Sequence, residues 1–292
     1  MTRIAYINGA YVPLNHAVVP MEDRAHQFSD GIYEYLAFYG KTPVHAELHL
    51  KRLERSLKEL RIPMPMNPRA LLGVMHELIA RNTYDNGGLY LQVSRGVARR
   101  EHAFPTHVLK PTVSMSVAPS KLPKSSEYTK GVAVISRPDI RWGRRDIKTV
   151  SLLGNILAKQ AASEAKVKEA WLVGTDGMVT EGSTSNAFIV DRAGKIITHP
   201  ANERILSGVS REVAIALARK AGMKVEERPF GLDEAKKASE AFMTSTSAKV
   251  LPIVSLDGKP IGSGKPGPVT QKLLKLYAAY LAKSVGHEVI AL

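Results

Sequence analysis

The 292-residue chain has no cysteine. Disulfides, thiolate nucleophiles and cysteine-ligated zinc are therefore excluded, and the composition suits a reducing compartment. No apolar run approaches the roughly 20 residues that a bilayer-spanning helix needs. The segment Met1-Thr2-Arg3-Ile4-Ala5-Tyr6-Ile7-Asn8-Gly9 has no apolar signal core and reads as a strand entering an Asn-Gly turn. A soluble, cytoplasmic protein is expected. There is no Walker A pattern, because Gly262-Ser263-Gly264-Lys265 runs into Pro266 and reads as a hairpin loop, and no Rossmann glycine fingerprint follows a strand. His45-Ala46-Glu47-Leu48-His49 places two histidines a helical turn apart, but its Glu is misplaced for a zinc protease. It reads as surface or structural, and no metal site is expected. Internal repeats and low-complexity segments are also missing.

Positive charge is abundant: 41 Lys and Arg against 27 Asp and Glu, a net +14. It is dispersed, with no basic run or tail, so neither nucleic acid nor membrane is the expected partner. An anionic small substrate is a better use for part of it.

The pattern predicts two α/β domains, with a cleft available between them. Residues 1–120 form a smaller N-terminal domain, 121–130 a linker and 131–292 a larger C-terminal domain. Leu50, Leu53, Leu57 and Leu60 recur at helical spacing, and Leu71, Leu72, Met75, Leu78 and Ile79 suggest a second helix. Gly88 to Val93 and Thr112 to Val117 read as strands. The polar stretch from Pro119 to Glu127 supplies the linker. Beyond it, strands are expected at Val132 to Ser136, Ala170 to Val173, Ala187 to Val190 and Glu240 to Thr244. Asp176-Gly177 and Asp257-Gly258 mark turns. Helices are expected from just after Lys148 to Ala165, after an N-cap at Ser210, and from Pro268 to Lys283.

Lys148 is the most informative residue. Apolar residues follow it closely in Asp146-Ile147-Lys148-Thr149-Val150-Ser151-Leu152-Leu153-Gly154-Asn155. A lysine that loses hydration beside packed apolar chain and near cations titrates lower, and its neutral amine forms Schiff bases with carbonyls. A Schiff-base cofactor such as pyridoxal phosphate also needs an anion site, a partner for its ring nitrogen and a clamp for the substrate carboxylate. Leu206-Ser207-Gly208-Val209-Ser210-Arg211, a glycine turn opening a helix, and the hydroxyl-rich Thr244-Ser245-Thr246-Ser247-Ala248 offer anion sites. Arg52 adds a cation on its helix. Glu181, in the turn-like Thr180-Glu181-Gly182-Ser183-Thr184-Ser185-Asn186, could hold a ring nitrogen protonated. Arg100 and His102 point the same way if their stretch is extended, and with the Tyr33 hydroxyl they could grip a carboxylate. Taken singly, each feature is more often an ordinary cap, turn or solvated face; together they point to the cofactor chemistry.

The run from Asp146 to Gln160, with Val179 to Asn186, Thr198-His199-Pro200, Ile205 to Arg211 and Thr244-Ser245-Thr246, resembles the fold-type IV pyridoxal-phosphate aminotransferases. The resemblance covers about Asn8 to Gly267. Within that superfamily, Arg100-Glu101-His102-Ala103-Phe104-Pro105 resembles the Arg-x-His carboxylate trap of the D-amino-acid aminotransferase family. The resemblance implies a two-domain α/β (α+β) fold with pyridoxal 5'-phosphate in the inter-domain cleft and Lys148 as catalytic residue. It implies cofactor contacts from Arg52, Lys148, Glu181, Leu206, Val209, Ser210 and Thr246, and substrate contacts from Tyr33, Arg100 and His102. It implies a homodimer in which Arg100 and His102 reach the neighbouring subunit's site. The implied reaction moves an amino group from D-amino acids of the D-alanine type to 2-oxo acids such as 2-oxoglutarate, with ping-pong kinetics. The alternative is an L-branched-chain or (R)-amine transaminase of the same fold. Arg99, Glu101 and the run Ser247-Ala248-Lys249 depart from the family pattern.

Overall fold

The computed structural model describes residues 3–119 and 122–290. Ser120 and Lys121, part of the expected linker, lie outside the described residues. The chain forms two compact units, one of Met1–Lys121 with Ile147–Ser151, the other of Leu122–Asp146 with Leu152–Leu292.

The first unit contains β1 (Ile4–Ile7), β2 (Ala10–Pro13), α1 (Arg24–Phe28), β3 (Gly31–Tyr39), β4 (Thr42–Pro43), α2 (Ala46–Glu59), α3 (Pro68–Ala80), β5 (Gly87–Ser94) and β6 (Thr112–Ala118). Its strands form an antiparallel sheet in the order β2-β1-β6-β5-β3-β4. Asn8 and Gly9 turn β1 into β2 with φ of 47° and 106°, as two-residue hairpins require. Leu50, Leu53 and Leu57 of α2, with Leu71, Met75, Leu78 and Ile79 of α3, are buried against alternate residues of the sheet. Leu60 and Leu72 are only half-buried. Ile147 joins this core, which anchors the segment carrying Lys148.

The second unit contains α4 (Ser125–Lys130), β7 (Val132–Pro138), α5 (Leu153–Glu164), β8 (Glu169–Val173), β9 (Met178–Gly182), β10 (Asn186–Val190), β11 (Ile196–Thr198), α6 (Val209–Lys220), β12 (Val225–Glu227), β13 (Phe230–Gly231), α7 (Leu232–Lys237), β14 (Glu240–Ser245), β15 (Lys249–Leu256), β16 (Lys259–Pro260) and α8 (Pro268–Val285). They build a mixed sheet in the order β12-β11-β10-β14-β15-β7-β8-β9-β13, with β16 on β15.

Three local expectations need correction. The stretch read as linker holds the helix α4, closed by Glu127, whose carboxylate accepts from the Lys124 N–H at 2.8 Å. Helix α6 is capped by Gly208 and not by Ser210, which already lies in its first turn. The segment around Glu181 is strand β9 and not a polar turn. Asp176-Gly177 joins β8 to β9, and the turn before β10 is Ser183–Ser185.

Candidate active site

In the first unit, residues 147–151 run along the start of β3. The Tyr33 N–H donates to the Lys148 carbonyl at 2.9 Å, and the Val150 N–H donates to Gly31 at 3.2 Å. The backbone of Lys148 is thereby fixed to the strand that carries Tyr33. Its half-buried side chain lies over the Tyr33 ring, with Nζ 4.1 Å from the centroid. Tyr33 stacks in turn on Tyr90 at 5.6 Å, whose hydroxyl burial pushes up to about 12.

One residue along β3, Glu34 is buried and grips Arg52 through both oxygens, from Nε and Nη2 at 2.8 Å each. His49 Nδ1 lies 2.7 Å from the same carboxylate. Burial opposes the charge on Glu34, but Arg52 and His49 hold its carboxyl well below the usual range. Burial also keeps His49 below its ordinary value, against the pull of Glu34. His49 is thus buried and structural, one of the two readings its pattern allowed, and it pairs with Glu34, which in turn grips Arg52. The expected Arg52 is not a loose surface cation, because a bidentate pair fixes its planar fork.

Arg100 and His102 are exposed on the long β5–β6 connection. Their stretch is not a regular strand, and they meet on the ring of Phe28. The Arg100 guanidinium carbon is 5.2 Å from the Phe28 centroid, and the His102 ring is 5.3 Å away. Among the described residues, no hydrogen bond joins either to Tyr33.

The second unit holds Glu181, which β9 buries almost completely. Its carboxylate receives Arg141 Nη1 at 2.5 Å, Asn186 Nδ2 at 2.9 Å and the Leu206 N–H at 3.1 and 3.2 Å. Burial pushes the carboxyl up, and Arg141 with the Leu206 N–H pulls against that. A proton on Glu181 would face only donors, so the arrangement suits the ionised form. Asp139 completes the Arg141 grip with bonds of 2.9 Å to Nε and Nη2, and also accepts from Thr180 Oγ1 at 2.7 Å.

Leu206 lies directly before the first turn of α6. That turn contains Val209 and Ser210, whose N–H groups precede the regular helix bonds and carry the positive end of its dipole. Gly208 admits the Asn186 side chain here: a Cβ would stand 2.1 Å from Asn186 Oδ1. Asn186 is the register partner of Thr244 at the end of β14, and Thr246 opens the turn that follows. The Thr244 hydroxyl is buried without a hydrogen-bond partner. The Ser210 hydroxyl is instead engaged with buried Tyr277 of α8, leaving its backbone N–H as the group an anion could use. Glu169 organises the turn Ser183–Ser185 between Glu181 and Asn186. It accepts from the Ser183 hydroxyl, from Thr184 Oγ1 at 2.8 Å and from Ser185 Oγ at 3.0 Å.

The unit therefore offers a charged carboxylate beside a helix N-terminus, and the first unit offers a lysine on a tyrosine ring beside a fixed arginine. Sequence reading misses Glu34, Phe28, Asp139, Arg141 and Glu169. The signal available for one pair is Asp139-Ile140-Arg141, an acid and a base two residues apart, which an extended chain places on one side. Among the described residues, no group of three or more His, Asp or Glu could hold a metal ion. None of their helices is long and apolar enough to cross a membrane.

The model of the class IV amino-transferase family matches residues 31–256. The chain belongs to that family. It is 38% identical over 281 residues to the D-alanine aminotransferase of Staphylococcus haemolyticus, covering 96% of this chain and 98% of that one. It is 39% identical over 266 residues to the Bacillus licheniformis D-alanine aminotransferase, covering 91% and 93%. Among solved structures it resembles the Escherichia coli branched-chain amino acid aminotransferase in fold, with a TM-score of 0.90 at 23% identity over 99% of this chain and 97% of that one. A branched-chain amino acid aminotransferase of T.th. with pyridoxamine 5'-phosphate superposes with a TM-score of 0.87 at 27% identity, covering 99% and 96%. The chain is thus an aminotransferase with the fold-type IV architecture that its sequence resembles.

Proposed function

We propose that this aminotransferase uses pyridoxal 5'-phosphate to exchange the amino group of D-alanine with 2-oxoglutarate, giving pyruvate and D-glutamate. The observation that carries the cofactor is Glu181, a buried carboxylate whose partners all donate to it. Such a group favours a protonated ring nitrogen as its remaining partner. The orphaned Thr244 hydroxyl and the first-turn N–H groups of α6, with Thr246, suit a phosphate. The family resemblance adds Arg52, Leu206, Val209 and Ser210 as cofactor contacts. When bound, the cofactor supplies a carbonyl that takes the amino group and a ring that spreads the electrons left at Cα.

Lys148 would hold the cofactor through its amine, and its Nζ, once free, would be the base that takes the substrate Cα proton and gives it back. The Tyr33 ring beneath Nζ limits where that atom can go. Arg100 and His102 supply N–H donors for the substrate carboxylate, and Tyr33 a hydroxyl. The resemblance to the D-amino-acid aminotransferase family assigns the first two to the neighbouring site of a homodimer, an assignment compatible with their exposure.

The D-alanine assignment draws on relatives of that name at 36–39% identity and on the Arg100/His102 pair. The second reading, an L-branched-chain transaminase, draws on the names of the structural neighbours. Pyruvate formation from D-alanine and 2-oxoglutarate tests the choice, with L-alanine and L-leucine in parallel and (R)-1-phenylethylamine as a carboxylate-free donor. Turnover confined to L-leucine would overturn the D assignment and keep the cofactor chemistry. Turnover confined to the amine would overturn the role of the carboxylate trap.

A further inference from the structure

The connection from Ser94 to Thr112 is longer than most loops in compact domains and has no regular structure of its own. It is nonetheless tied down along its first half: Arg95 donates to the carbonyls of Leu60 and Arg61 after α2 at 2.7 and 3.1 Å, and the other ties lead to α1 or the residues flanking it. Arg95 grips Asp30 from Nε and Nη2 at 2.7 and 2.9 Å. The Gly96 carbonyl accepts from the Arg24 N–H at 3.0 Å, and the Ala98 N–H donates to Glu22 at 3.2 Å. Ser94 Oγ donates to Asp23, the residue that caps α1. The decisive tie is Arg24 Nη1 to the carbonyl of Glu101 at 2.6 Å. Glu101 stands between Arg100 and His102, so Arg24 clamps the backbone of the pair at its midpoint.

Their side chains then converge on one ring. Phe28 receives the guanidinium carbon of Arg24 at 4.7 Å and that of Arg100 at 5.2 Å, and it meets the His102 ring at 5.3 Å with 58° between planes. An exposed arginine on a loop ordinarily samples many rotamers, and ordering it on substrate binding weakens that binding. A ring face attracts a guanidinium, and a tilted aromatic contact holds an imidazole. The ring therefore confines both donors before any carboxylate arrives.

We propose that Phe28, seated by Arg24, is a specificity-determining positioning residue: its ring keeps Arg100 and His102 poised as one carboxylate-binding pair. This rests on the reading that Arg100 and His102 grip the substrate carboxylate. Phe28 is assigned to act only through Arg100 and His102, whose side chains it meets.

The test is the half-reaction of the cofactor-loaded enzyme with D-alanine, followed by cofactor absorbance in single turnovers. Its concentration dependence separates apparent affinity from limiting rate. Phe28→Leu keeps an apolar side chain and removes the ring. Apparent affinity is expected to fall roughly tenfold with the limiting rate within about twofold, and the preference for D- over L-alanine to narrow. Phe28→Tyr keeps the ring and is expected to restore wild-type values. The half-reaction with (R)-1-phenylethylamine, which has no carboxylate, is expected to be the same in all three. Unchanged D-alanine affinity in Phe28→Leu overturns the proposal, as does an equal loss with the carboxylate-free amine. If Phe28→Leu fails to fold, Phe28→Met takes its place, and failure of both assigns Phe28 to the scaffold and overturns the proposal. Arg100→Ala separates the two layers. If it leaves D-alanine affinity intact, the carboxylate assignment has failed. If it weakens affinity while Phe28→Leu does not, only the positioning role has failed.

Discussion

Lys249 opens β15 and is 1% exposed, with Nζ donating to the Thr246 carbonyl at 2.5 Å. Desolvation brings its ammonium from 10.5 down to about 7. The unfolded chain binds this proton up to about pH 10.5, whereas the folded chain releases it near 7. Between those values the unfolded state holds more protons, so stability rises with pH, by up to about 1.4 kcal/mol per pH unit. Below pH 7 both states are charged, and the folded state carries the full cost of burying the ammonium, about 4–5 kcal/mol from the gap of 10.5 to about 7. Lys249→Met removes that cost and also a hydrogen bond of about 1 kcal/mol. The variant is expected to be more stable than wild type by about 3 kcal/mol at pH 7, with the advantage gone near pH 10. Urea unfolding across pH 6.5–9.5 measures this. Trp142 and Trp171 both belong to the second unit, so tryptophan fluorescence reports the part of the chain that holds Lys249. Parallel pH dependences for the two proteins would refute the buried-amine argument, whatever their absolute stabilities.

Lys148→Ala is expected to abolish transamination with every donor, because the proposed reaction passes the Cα proton through its Nζ; a variant retaining more than about 1% of wild-type turnover would remove Lys148 from the chemistry. Arg141→Met leaves Glu181 and Asp139 buried without their shared cation, and should destabilise the second unit by about 3–5 kcal/mol in urea titrations read by tryptophan fluorescence. The Glu34 carboxyl lies well below its unfolded value, so its stabilisation is full above about pH 4.5 and is lost as the pH falls further. His49 also lies below its ordinary value, so the unfolded chain takes up its proton first and stability falls as the pH drops through 6.5. Acid titration by circular dichroism should therefore show wild type losing stability steadily from about pH 6.5 downward. Glu34→Gln, already weakened at neutral pH, should show a shallower fall below pH 4.5.

The residues that sequence reading places well are those whose signal is periodic or chemically rare. Leu50, Leu53 and Leu57 repeat at helical spacing, and one face of α2 is buried accordingly. The N-cap expected at Ser210 stands instead at Gly208, which the close approach of Asn186 demands, a contact absent from any local window. Glu181 reads as part of a polar turn because Thr180-Glu181-Gly182 looks solvated. Burial of a charge is made tolerable only by partners distant in sequence: Arg141 is 40 residues away and Leu206 is 25. The same holds for Glu34 with Arg52 and for Arg24 with Glu101. Polar clusters of this kind follow tertiary geometry, whereas hydropathy patterns follow local geometry.

The sequence relatives and the structural neighbours are named for different substrates, and a shared fold is compatible with both sets of names. The branched-chain enzymes share nearly the whole course of this chain at 23–27% identity, so their fold tolerates wide change in sequence. A shared scaffold constrains the strand that holds Lys148 and, separately, the strand that holds Glu181, the residues to which the proposed chemistry is assigned. It does not constrain which face of Cα presents its hydrogen, because that depends on where the carboxylate is held. In this chain the donors assigned to that task stand on the β5–β6 connection, outside both sheets, where they meet Phe28 and Arg24 bonds the Glu101 carbonyl between them. A change of enantiomer would then need new anchoring of one loop and no rearrangement of the core. Sequence identity near 38% to D-alanine enzymes over most of the chain therefore weighs more on stereochemistry than a TM-score of 0.90 does. Chain-wide identity includes the loop residues that a shared fold leaves free to vary.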